Sequence, residues 1–168
     1  MKVLLSPEYA AGFFDGEGCV NFGMSRYYRN GELRGRSLNL RASIGSTDLL
    51  ILQEHLAQFK GSISTKRLSL ARYKPQWVWS VTASDAIAFL TYIRPHLRIK
   101  ARQVDVAFEF HEWRQRPIDE RCYKLPGGQG TWKRTSETLD KEAEFKLRMH
   151  HLNSGATIRQ RFQLTRIS

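Results

Sequence analysis

One short stretch near the N-terminus, residues 6–18, constrains the fold of this chain more than any other part of the sequence. Ser6 suits a helix N-cap, Pro7 suits the first helical position, and Glu8 complements the positive end of the helix dipole. The stretch closes in Asp15-Gly16-Glu17-Gly18, and glycine there ends a helix or lets another backbone approach closely. The sequence therefore predicts a short helix that is followed at once by a strand.

Two glycines of this helix, Gly12 and Gly16, are four residues apart and face the same side. Because they carry no side chains, they leave room for a second helix at short range. If a copy of the helix packs there, two Glu17 carboxylates come close together. Such oxygen-rich sites bind hard divalent cations such as Mg²⁺. On these residues alone, the alternative is that Asp-Gly-Glu-Gly forms only a solvated turn.

Alternation of apolar and polar residues predicts four strands. In the first, Val20, Phe22 and Met24 point inward, and Asn30-Gly31 marks a turn in a rather long loop before the second strand. Helical spacing predicts four further helices after the first, with Ser46 or Thr47 capping one and Ser84 another. Residues 117–134 are predicted to form a loop. The predicted strands are 19–27, 37–45, 62–70 and 75–82, and the predicted helices are 48–60, 84–92, 100–114 and 136–152.

The elements therefore follow the order α-β-β-α-β-β-α, with further helices after them. Four strands with one polar and one apolar face predict an α+β fold, in which helices cover one face of a four-stranded antiparallel sheet. We expect one domain over 1–153, made of a core (1–116) and a C-terminal helical part (117–153), and then a basic tail (154–168).

Charge limits the range of partners. The chain of 168 residues has 27 Lys and Arg against 16 Asp and Glu, a net charge of +11, and a pI near 10.1. This balance favours nucleic acid or another anionic surface. Cys19 and Cys122 give neither a disulfide framework nor metal-ligand spacing, which favours a reducing, intracellular setting. No apolar run reaches the length of a membrane span, and no membrane partner is expected.

Three segments resemble the LAGLIDADG homing endonucleases. Residues 10–18, Ala-Ala-Gly-Phe-Phe-Asp-Gly-Glu-Gly, are similar to the family's signature motif. Residues 95–103 are similar to the segment that carries the basic active-site residue in single-motif members, and residues 134–139 resemble the start of a C-terminal helix in the same subgroup. The three segments occur in the family's order and span most of the chain.

The resemblance implies a homing-endonuclease fold whose sheet forms a DNA-binding saddle. It implies a metal site at Glu17 with Gly16 beside it, and a catalytic lysine at Lys100. The expected cofactor is Mg²⁺, with Mn²⁺ able to substitute, and no small-molecule substrate is expected. Because the motif occurs once, the resemblance implies a homodimer. Its interface is expected to include Ala11, Gly12, Asp15 and Gly16.

Polar residues on the open face of the sheet, with basic residues in its connections, are the candidates for DNA contact. A β-ribbon fits the major groove, where such side chains can read base edges or bind phosphate. The alternative is that any solvated sheet face is polar. The candidates are Asn21, Ser25, Tyr27, Arg29, Arg34, Asn39, Arg41, Ser43, Lys66, Arg72, Lys74, Gln76, Lys133 and Arg134.

The function predicted from the sequence is metal-dependent double-strand cleavage of a long pseudo-palindromic DNA site, by an enzyme encoded in an intron. The resemblance implies cuts across the minor groove that leave short 3′ overhangs. Two alternatives stay open: an RNA maturase that assists splicing, and a non-cleaving DNA-binding regulator on the same fold. The expected location is the cytoplasm or nucleoid of a prokaryote, or the organelle whose genome encodes the chain.

Overall fold

The computed structural model describes residues 4–66, 74–124 and 132–154. The chain divides into two compact units, Met1–Val104 and Asp105–Ser168. Within the described residues, no helix is both long and apolar enough to cross a membrane.

The first unit has the predicted order of helices and strands. In chain order its elements are α1 (Pro7–Glu17), β1 (Gly18–Arg29), β2 (Glu32–Ser46), α2 (Leu49–Phe59), β3 (Ser62–Lys66), β4 (Gln76–Thr82), α3 (Ala83–Ile93), a 3₁₀ turn (Arg94–His96) and the start of α4 (Ala101–Gln115). The rest of α4 belongs to the second unit, which also contains α5 (Ile118–Arg121), β5 (Cys122–Lys124), β6 (Trp132–Arg134) and α6 (Ser136–Ser154).

The four strands of the first unit form one antiparallel sheet in the order β1-β2-β4-β3. Its apolar face is buried under α1, α2 and α3, and the α+β fold predicted from the alternation is confirmed. Val20, Ala42, Ile44 and Trp79 are fully buried on that face. The opposite face carries the polar positions of the same strands, so the sheet presents a polar surface of four strands.

The connection between α1 and β1 contains no loop residue, because α1 ends at Glu17 and β1 begins at Gly18. A Cβ atom at Gly18 would lie 2.5 Å from the carbonyl oxygen of Phe14, so only glycine fits at this junction. Phe14 is itself fully buried, and its ring packs edge-on against Phe89 at 5.3 Å between centroids. The motif therefore fixes the direction in which β1 leaves the helix.

The hairpin of β1 and β2 is longer than predicted. The strands continue to Arg29 and from Glu32, and only Asn30 and Gly31 lie between them. Both turn residues have positive φ, 52° and 79°, as a tight hairpin turn of the Asn-Gly type requires. The prediction of a long loop was wrong, because basic residues obscured the alternation of this hairpin. Met24, predicted to point inward, is 46% exposed because the hairpin extends beyond the core.

Three local predictions are also corrected. Asp48 is the N-cap of α2, since its carboxylate accepts the N–H of Leu50 at 2.9 Å, whereas Ser46 bonds only to the N–H of Asp48. The helix predicted to be capped by Ser84 begins at Ala83, directly after β4. The region 117–134, predicted as a loop, contains α5 and the short hairpin of β5 and β6. Residues 67–70 of the predicted third strand lie outside the described residues.

His55 occupies the centre of the aromatic core of the first unit. It is fully buried among Phe13, Phe59, Trp79 and Phe89, with ring centroids 5.3 to 6.2 Å away. Its Nδ1 is 2.8 Å from the carbonyl oxygen of Ile51, whereas its Nε2 has no hydrogen-bond partner among the described residues. Burial lowers the pKa of His55 below its ordinary value, although the bond to Ile51 opposes the shift. The ring is therefore neutral in the folded protein.

This buried ring predicts a loss of stability in mild acid. The unfolded chain binds a proton at His55 more readily than the folded chain, so the free energy of unfolding should fall as the pH drops below the ordinary value near 6.5. The slope from this one group cannot exceed about 1.4 kcal/mol per pH unit. Denaturant titrations from pH 8 to pH 5.5 should show that His55→Leu is less pH-dependent than wild type. Equal pH dependence of His55→Leu and wild type would contradict this assignment.

Candidate active site and nucleic-acid interface

Glu17 is the last residue of α1, and its side chain is exposed. It stands directly before Gly18, so the junction that turns the chain into β1 also presents this carboxylate. It borders a cleft of about 280 Å³ that is also lined by Cys19, Ser43, Lys66 and Gln76. The predicted catalytic acid therefore lies at the end of the polar sheet face.

Asp15 is bound to the backbone and does not point freely at a ligand. Its carboxylate accepts hydrogen bonds from the N–H groups of Arg98 at 2.8 Å, Ile99 at 3.1 Å and Lys100 at 2.9 Å. Partial burial opposes ionisation of Asp15, but these three donors outweigh it and lower its pKa below the ordinary value. The Asp15 carboxylate therefore joins the C-terminal end of α1 to the segment that precedes α4.

Lys100 is held at the same place by two independent contacts. Its backbone N–H binds the Asp15 carboxylate, and its ammonium Nζ donates to the backbone carbonyl oxygen of Asp15. The first backbone bond of α4 starts here too, because the N–H of Val104 donates to the carbonyl oxygen of Lys100 at 3.1 Å. The structure thus brings the predicted lysine to the C-terminal turn of α1, where it contacts Asp15, two positions before Glu17.

The outward face of the sheet forms rows of side chains across the strands. Asn21 pairs with Arg41, and Arg41 pairs with Thr82 on the other side. The amide of Asn39 donates to the hydroxyl of Ser25 at 2.6 Å, which orders the two groups relative to one another. Arg41 is half-buried, and its Nε has no hydrogen-bond partner within the described part of the chain. A guanidinium group suits recognition of guanine or phosphate.

The remaining sheet candidates are distributed along the same surface. Ser43, Lys66 and Gln76 line the cleft beside Glu17. Lys74 is exposed two residues before β4, and Tyr27 is 63% exposed on the hairpin. Arg29 ends β1 and Arg34 lies at a bulge of β2, but their side chains are outside what the structure describes. Arg72 lies outside the described residues altogether.

Arg134 has a different role from the one predicted. Its Nη1 is 2.6 Å from the carboxylate of Glu142, which is only 4% exposed, and Arg114 approaches the same carboxylate at 3.5 Å. A buried carboxylate is costly unless it is paired, so Arg134 is needed within its own unit. Its prediction as a free phosphate contact is corrected. Lys133 is exposed and stays a candidate.

The predicted interface face of α1 is not covered by any of the residues that the structure describes. Among them, no atom lies within 4 Å of a Cβ added at Gly12 or at Gly16. Both glycines are exposed, whereas Ala11 is fully buried in the chain's own core. Since the side chain of Ala11 is unavailable to a partner, its predicted place at the interface is corrected.

Sequence reasoning missed two features of this region. Arg26 and Arg36 lie directly opposite each other in the hairpin. Because the sequence predicted a long loop before the second strand, it gave no cross-strand pairing there. The link between Asp15 and residues 98–100 joins segments more than 80 residues apart, and no periodicity indicates such a contact. Among the described residues, no cluster of three His, Cys, Asp or Glu could hold a metal ion. Because the Asp15 carboxylate is bonded to the backbone, Glu17 is the carboxylate that the end of α1 exposes to solvent.

Arg134 and Lys133 allow the structural and DNA-contact roles to be separated. Arg134→Met should lower the free energy of unfolding by about 3 kcal/mol, because it removes the closer partner of the buried Glu142 carboxylate. Lys133→Met should change stability by less than about 0.5 kcal/mol. Urea titrations measure both effects. Equal stability of the two variants would contradict the role assigned to Arg134.

Comparison with known proteins places this geometry in a known fold. No protein-family model matches the sequence, and no curated protein matches it either. Among solved structures, the homing endonuclease I-CvuI, in complex with its target in the presence of Ca, is similar at a TM-score of 0.62 and 17% identity, over 87% of this chain and 80% of that one.

Two further structures match almost from end to end. The homing endonuclease I-TnaI has a TM-score of 0.61 and 17% identity over 92% of this chain and 98% of that chain. The archaeal intron-encoded homing endonuclease I-Vdi141I, complexed with DNA, has a TM-score of 0.60 and 16% identity over 94% and 96%. At these identities the comparison establishes architecture, and the chain has the fold of the homing endonucleases.

Proposed function

We propose that this chain is a LAGLIDADG homing endonuclease that cuts both strands of a long DNA site in a metal-dependent reaction. One observation carries the proposal. Glu17 is exposed at the end of a polar four-stranded sheet face, and Lys100 is hydrogen-bonded to Asp15 in the same helix as Glu17. The structures with the same fold include homing endonucleases bound to DNA. The net charge of +11 suits that partner.

The sheet supplies the means of recognition. Its outward rows present amide, hydroxyl and guanidinium groups, which match the donor and acceptor pattern of base edges in the major groove. Ser25 and Asn39 are already hydrogen-bonded to one another, so little order has to be created when DNA binds. Arg41 brings a half-buried guanidinium group to the middle of this surface.

The chemistry is hydrolysis of a phosphodiester in each strand. Water attacks the phosphorus, one bridging P–O bond breaks, and the leaving oxygen takes up a proton. Lys100 is placed to stabilise the negative charge that develops on the phosphate, because its ammonium needs only to leave the Asp15 carbonyl oxygen to reach an anion. Asp15 keeps the backbone of Lys100 in place during that exchange.

A divalent cation fits the groups at this site. The exposed Glu17 carboxylate and the adjacent Gly16 carbonyl are hard oxygen donors, and Mg²⁺ commonly combines one or two carboxylates with water and phosphate oxygens. When bound, the ion supplies Lewis acidity and lowers the pKa of its bound water. The structures with this fold include homing endonucleases studied with Mg or Ca, and we expect Mn²⁺ to substitute.

A homodimer would supply the second Glu17. The open stripe of Gly12 and Gly16 on α1 allows a symmetry-related helix to pack closely, and Asp15 lies at the end of the same stripe. Two-fold symmetry would bring together one acid from each protomer and impose a pseudo-palindromic target. The chain also matches nearly all of I-TnaI but only 44% of the LAGLIDADG homing endonuclease I-GzeII, as expected for a chain with one motif.

The origin of the chain follows from the same proposal. A homing endonuclease of this kind would be encoded in an intron and would act where that DNA resides, in a prokaryotic cytoplasm or in an organelle. The polar sheet favours DNA over the RNA of a maturase, because side chains cannot read the deep, narrow major groove of an RNA duplex. A non-cleaving regulator would not need the exposed acid at position 17.

Substitution of the acid tests the enzyme directly. Glu17→Gln should bind its target DNA as tightly as wild type but should lose cleavage by a factor of about 10³ or more, because the amide is a poor metal ligand. Lys100→Met should also bind, and should cut about 10² times more slowly. Plasmid cleavage with Mg²⁺ and gel-shift titration measure both properties. Cleavage that survives Glu17→Gln would remove this residue from the mechanism, and a wild type that binds without cutting would favour the regulator.

The glycine stripe makes a second, independent prediction. The double variant Gly12→Ala/Gly16→Ala should keep or raise the stability of the folded monomer, because each methyl group meets open space and alanine favours a helix. It should weaken dimer formation and cleavage together. Sedimentation of the free protein measures the association. The control is Gly18→Ala, which should destabilise the fold because its Cβ meets Phe14. A wild type that is monomeric on its target DNA would contradict the two-fold arrangement.

A further inference from the structure

We propose that Arg26 and Arg36 form a phosphate-binding arginine pair on the back of the β1–β2 hairpin, and that the free protein sacrifices some stability to keep it. The inference rests on the proposed DNA-binding function. Arg26 and Arg36 are direct cross-strand partners, and both are exposed. We call them the arginine pair.

The arginine pair lies on the opposite face from the residues predicted to read bases. Arg26 follows Val20, Phe22 and Met24 along β1 at intervals of two, so all four residues point to the same face of the strand. The helices cover this face at the beginning of β1. Burial along that row changes from 0% at Val20 and 8% at Phe22 to 46% at Met24. The hairpin has therefore passed beyond the helices before it reaches Arg26.

Both strands are open at their outer edges in this part of the hairpin. β1 is the edge strand of the sheet, and β2 pairs with β4 only between Arg41 and Ser46. Each arginine of the pair can therefore extend past its own strand edge. A two-stranded ribbon is about 5 Å from strand to strand, whereas the major groove is about 12 Å wide. A ribbon reading base edges leaves a phosphate wall on each side, within reach of a long side chain.

The free protein gives the arginine pair no compensating charge. Within the described parts of the chain, no carboxylate pairs with Arg26 or Arg36. Like charges directly opposite one another in an antiparallel pair are destabilising. A purely structural role would favour a neutral or oppositely charged pair at this position, so the repulsion points to an anion that is present only in the complex. Double-stranded DNA supplies such anions along both walls of its groove.

Charge removal separates this role from a structural one. The double variant Arg26→Thr/Arg36→Thr should melt about 1–3 °C higher than wild type, because the repulsion is gone and threonine suits a strand. The same variant should bind a 30-base-pair DNA duplex of mixed sequence about tenfold more weakly at moderate salt. The plot of log affinity against log salt should become flatter by about 1.8 for each bound protomer, which corresponds to two lost phosphate contacts per protomer.

A charge reversal strengthens the test. Arg26→Glu places an acid opposite Arg36, so it should raise the melting temperature further and should weaken DNA binding more than Arg26→Thr does. Arg26→Lys keeps the charge and should keep the wild-type salt slope. The matched control is Lys60→Gln, which removes one positive charge from the exposed end of α2 on the helical side of the sheet and should leave the slope unchanged.

The outcomes distinguish this inference from the proposed function. A wild type that binds the duplex, together with a double variant whose salt slope equals that of Lys60→Gln, would overturn the arginine pair and leave the endonuclease proposal intact. A double variant that melts lower than wild type would also overturn it, and a slope that changes only with an RNA duplex would overturn the DNA assignment. A wild type that binds no duplex at all would instead reject the proposed function itself.

Discussion

The bond between Asp15 and the backbone of residues 98–100 is the interaction on which the arrangement of the candidate site depends. Three N–H groups before α4 have no carbonyl partners within that helix, and one carboxylate from α1 satisfies all three. The negative charge also complements the positive end of the α4 dipole. Without this bond, Lys100 would be tethered only by its own segment. With it, Lys100 is held at the end of the helix that carries Glu17.

In the proposed function, the two faces of the sheet divide stability from recognition of DNA. Burial of residues such as Trp79 and Ile44 against the helices stabilises the strands, and this leaves the outward residues free of any packing role. The arginine pair shows where that division ends. Beyond the helical layer neither face is buried, so both faces of the hairpin can be used for a ligand, at the expense of local stability.

The sequence predicted the architecture well because alternation and capping are local signals. Val20, Phe22 and the inward residues of β2 follow the period of a half-buried strand, and Ser6 indicated the start of α1 correctly. The Asn-Gly turn was recognised, but the strands predicted on either side of it were shorter than the observed ones. The arginines near the turn do not follow the alternation of apolar and polar residues that marks a strand. The partners of Asp15 and Arg134 could not be predicted, since hydrogen bonds between distant segments leave no pattern along the chain.

The absence of any loop between α1 and β1 has a mechanical consequence. The helix face that carries Gly12 and Gly16 and the strand that carries Asn21 are one continuous backbone, stiffened at Gly18 by the buried ring of Phe14. A rotation of α1 by a few degrees would therefore swing the far end of β1 by several ångströms, as a lever does. A change to the exposed face of α1 and a change to the outward face of β1 are therefore not independent engineering problems in this molecule.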